Sequence, residues 1–181
     1  MNSRNFSTIE YFNRKAAMIE PRLRFRGSTQ TDFKNWKAKL FASLQTLLGP
    51  MPDRVPPNPE IVWELEEDGL IKRRVLLDTE TDMSVAALVY IPVDARQKPC
   101  PAILCNHGHG QFAKDSVMGI RSGNSPERIA EIAAFNYDYG LQMAKRGYVT
   151  MAIDYRGFGE RSDGGNPYPG NTVRNRNIMV F

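Results

Sequence analysis

The run Pro101-Ala-Ile-Leu-Cys-Asn-His-Gly-His-Gly-Gln111 decides how the rest of the chain is read. Ala102 to Cys105 are apolar residues bounded by Pro101 and a polar turn, the pattern of a strand buried on both faces in a parallel sheet. Gly108 and Gly110 then let the backbone bend sharply and expose its N–H groups. Such a turn, at the carboxyl end of a central strand, is where open α/β sheets place ligands. Taken alone, the run equally fits an ordinary β-to-α turn with two glycines.

A second stretch separates these readings. Tyr148-Val-Thr-Met-Ala-Ile153 is again a strand-like run, and Asp154-Tyr-Arg-Gly-Phe-Gly-Glu-Arg-Ser162 turns off its end. Between the two runs a helix is predicted to end at Ala144-Lys-Arg-Gly147, so the strands are expected to be parallel neighbours joined by a right-handed crossover. The strand-H-G-x-G turn, the helix and the glycine-punctuated loop together resemble the first half of an α/β-hydrolase, within the acetyl xylan esterase and dienelactone hydrolase branch, over residues 61–162. The fold class this implies is α/β: an α/β-hydrolase-type, mostly parallel sheet with antiparallel first strands, incomplete, preceded by a helical N-terminal segment.

Outward from this core, the chain divides at a proline-rich connector. Residues 1–60 read as a helical segment closed by Pro50, Pro52, Pro56, Pro57 and Pro59, and residues 61–181 as the amino-terminal half of a hydrolase domain. From Thr31 to Leu48 the apolar residues Phe33, Trp36, Leu40, Phe41, Leu44 and Leu47 recur at threes and fours. Thr31 or Asp32 is expected to cap this helix and Gly49-Pro50 to stop it. Ile71–Asp78 and Ser84–Ile91 are β-rich runs separated by a hairpin-length polar loop. Ser125-Pro126 reads as a helix start, with Gly147 as the left-handed stop further on, and whether one helix or two lies between is left open.

Composition narrows the function classes. The 181 residues are 41% hydrophobic and 24% charged with a net charge of +4, an ordinary globular balance. Residues 1–60 hold ten Lys/Arg against five Asp/Glu, but no basic block or nucleic-acid module accompanies them, so no nucleic acid is expected as partner. No apolar run is long enough for a membrane helix, and the first thirty residues lack the apolar core of a secretory signal, so the expectation is a cytoplasmic protein without membrane association. Two cysteines, Cys100 and Cys105, and two histidines supply no zinc ligand set, and no cofactor is expected.

The resemblance assigns roles residue by residue. The backbone N–H of His109 is expected to be an oxyanion-hole donor, kept accessible by Gly108 and Gly110, with His107 structural and bonded to neighbouring loops. Asp154 is expected to be structural, because the triad acid of this fold follows the nucleophile in chain order. Arg156 is read either as a partner for an acidic substrate group or as the mate of a carboxylate that braces its loop. Gly157 and Gly159 permit the bend, and Asn166-Pro-Tyr-Pro-Gly170 is expected to border a substrate cleft.

The nucleophile is missing. None of the nine serines lies in a G-x-S-x-G elbow; Gly119-Ile-Arg-Ser-Gly123 comes nearest, with the wrong spacing, and both histidines lie in the oxyanion turn. Two readings remain open. The chain is the amino-terminal part of a serine carboxylic-ester hydrolase acting on a small ester once completed, or it is a non-catalytic hydrolase-like binding or interaction module or remnant. Either way, the sheet is expected to end in an unpaired edge at the strand 148–154, favouring self-association or a completing chain.

Overall fold

A computed structural model of the chain describes residues 4–97, 99–121 and 125–162, and the chain forms two compact units, Met1–Pro52 and Asp53–Phe181. In the first unit, α1 (Thr8–Met18) starts at Ser7, whose side chain accepts a hydrogen bond from the Glu10 N–H. Helix α2 (Gln30–Leu48) is capped at Thr29, not at Thr31 or Asp32 as expected. Asp32 is the N3 member of a capping box, accepting from the Thr29 N–H at 3.0 Å while its own N–H donates to Thr29 Oγ1 at 3.1 Å. The Thr29 hydroxyl, which donates to Asp32 Oδ2 at 2.7 Å, and then the Thr29 and Ser28 N–H groups hold the Asp32 carboxyl below the usual carboxylate range. Phe25, Phe33 and Trp36 pack edge to face or tilted, and Trp36 Nε1 donates to the Leu23 carbonyl at 2.6 Å.

The second unit is built on a five-stranded sheet of β1 (Glu60–Glu67), β2 (Leu70–Glu80), β3 (Met83–Pro92), β4 (Ala102–Leu104) and β5 (Val149–Ile153), in the order β1-β2-β3-β5-β4. β1 and β2 are joined at Asp68-Gly69, both at positive φ, which suits the twist of a tight hairpin. β2 and β3 pair antiparallel from Leu70↔Pro92 to Glu80↔Met83, so the expected meander is present. β4 and β5 are parallel neighbours as expected, with Ala102 opposite Val149 and Leu104 opposite Met151. The other three described strand pairings are antiparallel, so the parallel part of the sheet amounts here to this one pair.

Two expectations about β4 and β5 are corrected. β5 is not an edge: it lies between β3 and β4, pairing antiparallel with Ala87–Tyr90 on its other side. Among the described strands β4 is therefore the outer one on this side, and it is not buried on both faces, for Leu104 is 55% exposed and only Cys105, just past the strand, sinks to 2%. The cause is topological. The crossover returns the chain into the gap beside β3, and no local apolar pattern distinguishes an inner strand from the edge it displaces.

That crossover consists of α3 (Ala113–Val117), α4 (Pro126–Phe135) and α5 (Tyr139–Lys145). Ser125 caps α4 as expected, and the open question of one helix or two is resolved by Asn136, a left-handed residue that stops α4 before α5 begins. Gly147, at φ +95°, ends the turn after α5. Val117, Met118 and Ala144 from these helices close over Leu70, Leu88, Tyr90 and Ala152 of the sheet to form the core. Among the described residues no helix is long and apolar enough to cross a membrane.

Candidate functional site

The parallel register of β4 and β5 brings their carboxyl ends, and so the turn 106–112 and the loop 154–162, side by side. His107 is the seam. Its Nε2 accepts from the Tyr155 N–H at 3.0 Å and its Nδ1 lies 2.7 Å from the Gly108 carbonyl, which places the proton on Nδ1 in a neutral ring. His107 is 5% exposed, and its ring packs tilted on Tyr155 and edge to face on Phe158 at centroid distances of 4.8 and 5.1 Å. Burial pushes its pKa down, outweighing the Gly108 carbonyl bond that favours the proton.

The turn beyond His107 is held from its other side by α4 and the α4–α5 link. The Gly108 N–H donates to Tyr137 Oη at 2.9 Å, and the Gln111 N–H to Glu131 Oε1 at 3.3 Å. The second Glu131 oxygen accepts from Ser116 Oγ at 2.6 Å, and Tyr139 Oη donates to the Asn106 carbonyl. Burial pushes the Tyr139 phenol up to about 12, so it stays a donor. A side chain at Gly110 would meet Glu131 Oε1 at 2.9 Å and Tyr137 at 3.2 Å. The turn therefore packs closely against these two side chains at Gly110, so that a side chain there would displace the Glu131 carboxylate, a contact the sequence did not reveal. His109 is exposed at the tip, its ring 5.8 Å from that of Phe158.

The loop 154–162 is organised by Asp154, which is 1% exposed. Its carboxylate accepts from the Lys114 N–H (3.1 Å), Lys114 Nζ (2.6 Å) and the Glu160 N–H (3.0 Å). Lys114 Nζ also meets Glu160 Oε2 at 2.9 Å, and Glu160 reaches Arg74 at 3.0 Å. Burial opposes the charge on Lys114, yet Asp154, Asp115 and Glu160 together hold its pKa above the ordinary value. Glu160 is likewise disfavoured by burial, but Lys114 and Arg74 keep its carboxyl below the usual range. A Cβ on Gly159, which sits at φ +49°, would lie 2.3 Å from Asp154 Oδ2. Gly157, at φ +79°, turns the chain so that its N–H reaches the Arg161 carbonyl at 3.1 Å.

Arg156 pairs with Glu80 at the end of β2, one of the two alternatives its sequence left open. Lys114, Glu131, Tyr137 and Glu160 were not foreseen. The one sequence hint was Lys114 itself, a charge set between the apolar pairs Phe112-Ala113 and Val117-Met118. Residues 166–170, expected to border a cleft, lie outside the described residues.

A cleft of about 460 Å³ runs beside the edge of β4, lined by Ile103, Leu104, Asn106, Tyr139 and Met143. Another, about 690 Å³, opens near the amino end of β5 between Trp63, Leu65, Lys72, Tyr90 and Leu141. Burial raises the pKa of the Cys105 thiol, which keeps it protonated. Among the described residues no group of three or more His, Cys, Asp or Glu is placed to hold a metal ion.

Comparison with known proteins gives three findings. A model described as "Abhydrolase family" matches residues 2–169. The "Putative hydrolase YtaP" of Bacillus subtilis (strain 168) is 29% identical over 126 residues, which cover 69% of this chain and 39% of that protein. The crystal structure of a "putative acetyl xylan esterase" from Bacteroides fragilis NCTC 9343 superposes with a TM-score of 0.69 at 23% identity, covering 99% of this chain and 46% of that one. The chain thus spans less than half the length of either protein.

Proposed function

The chain belongs to the Abhydrolase family, of α/β-hydrolase fold with a relationship to acetyl xylan esterases, and from that premise we propose that it forms the amino-terminal part of a serine carboxylic-ester hydrolase. In this reading the turn 107–111 supplies the oxyanion hole through the His109 N–H, and the nucleophile, acid and base come from residues beyond these 181 or from a completing chain. The observation that carries the reading is the seam between the two turns: the run after β4 is pinned by His107 to the loop after β5, at the shared carboxyl end of a parallel pair.

Attack on an ester carbonyl builds negative charge on its oxygen, and a preorganised N–H aimed at that oxygen lowers the barrier by roughly 3 to 4 kcal/mol. The reading is supported by the bonds that hold the neighbouring N–H groups, Gly108 on Tyr137 and Gln111 on Glu131. Asp154 is occupied by three N–H donors, which favours its reading as a brace over that of a catalytic acid.

The test uses a polypeptide extended through a G-x-S-x-G strand and assayed on an activated acetyl ester. His109→Ala keeps the donor and retains most activity, whereas His109→Pro deletes it and lowers kcat by about 10²-fold or more. Unchanged kcat in a folded proline variant would remove His109 from the oxyanion hole.

A further inference from the structure

We infer that Lys114 is a positioning residue for the turn 107–111, gripping the Asp154 carboxylate with its backbone and side-chain nitrogens together. What the grip accomplishes in catalysis rests on the oxyanion reading of His109; the grip itself rests on geometry. Lys114 N and Nζ lie 3.1 and 2.6 Å from the two Asp154 oxygens, and the residues are 2% and 1% exposed. A methionine would fill much the same space without the desolvation cost of an ammonium, so packing alone does not account for lysine here.

The neighbour of Lys114 shows what the grip holds. Ala113 is fully buried at φ +47°, in the left-handed region where a Cβ is strained, and such a conformation persists only where surrounding contacts impose it. This reversal links the turn to α3 and aims the Lys114 N–H at Asp154. At the other end of the turn, His107 takes the Tyr155 N–H. Both ends of the segment carrying His109 are therefore fastened to one loop, 154–162. Release of the Lys114 end lets Ala113 relax, and the His109 N–H loses its fixed direction.

Three variants of the 181-residue chain test this by hydrogen exchange read by mass spectrometry: Lys114→Met, Asp154→Asn, which keeps an acceptor oxygen without the charge, and Lys114→Met with Ala113→Gly. Exchange at residues 107–111 is expected to quicken about tenfold or more in the first two, with β2 and β3 unchanged. The added glycine, which holds positive φ without strain, is expected to recover part of that protection. In the extended polypeptide Lys114→Met lowers kcat about tenfold or more with KM within about twofold. If Lys114→Met does not fold, Asp154→Asn decides. Unchanged exchange at 107–111 in a folded variant, or acceleration spread evenly over the sheet, overturns the positioning role. Faster exchange with unchanged kcat overturns its catalytic purpose, whereas unchanged kcat in His109→Pro strikes the oxyanion reading and leaves the exchange result standing.

Discussion

Gly159 is as much a space requirement as a bend. Its φ of +49° suits glycine, and a methyl group there would fall 2.3 Å from a carboxylate oxygen that is itself fixed by Lys114. Gly159→Ala is therefore expected to cost about 2 kcal/mol or more, read as a lower thermal midpoint; a midpoint within a degree of the parent would refute the packing argument. At His107 the prediction is one of pH. Its folded pKa lies below the ordinary value of 6.5, so the unfolded chain takes up the proton first. The stability it contributes is present above that pH and is lost as the pH falls through the lowered pKa. Protonation would also turn Nε2 into a second donor facing the Tyr155 N–H. Thermal midpoints between pH 8 and 5 should fall more steeply in the parent than in His107→Gln; parallel profiles would count against it.

At the scale of elements, the consequential one is β4. Its sequence has the apolar run of an inner strand, yet among the described strands β5 takes the inner place and leaves Leu104 exposed along the outer one, beside the 460 Å³ cleft. Unpaired edges with apolar side chains invite association, and a lysine blunts them. The 181-residue chain is accordingly predicted to self-associate with concentration in sedimentation velocity, and Leu104→Lys to reduce that association severalfold. Equal association of both proteins would mean that another surface drives it. Helix boundaries were more legible: Ser125-Pro126 and Gly147 were read correctly, because caps and stops depend on the local backbone. The cap of α2 lies two residues before Thr31 and three before Asp32, because Asp32 serves Thr29 through a reciprocal bond and does not itself cap.

For the molecule as a whole, the proposed division of labour predicts that the 181-residue chain hydrolyses an activated acetyl ester no faster than its denatured control, while a polypeptide extended through G-x-S-x-G turns over. Activity in the shorter chain, abolished by replacing one of its own serines, would contradict the proposal. The sequence by itself determined the β2–β3 meander, the parallel pair, the turn after each of its strands and the family likeness, since alternation, apolar runs and glycine placement act within a few residues. Only the tertiary structure decided that β5 lies inside β4, that Lys114 and Glu160 converge on Asp154, and that Glu131 and Tyr137 crowd Gly110. Several of these contacts join positions far apart in the chain, 40 residues for Lys114 and Asp154. They follow from where the crossover sets its helices against the sheet, a matter of global closure that local pattern does not encode.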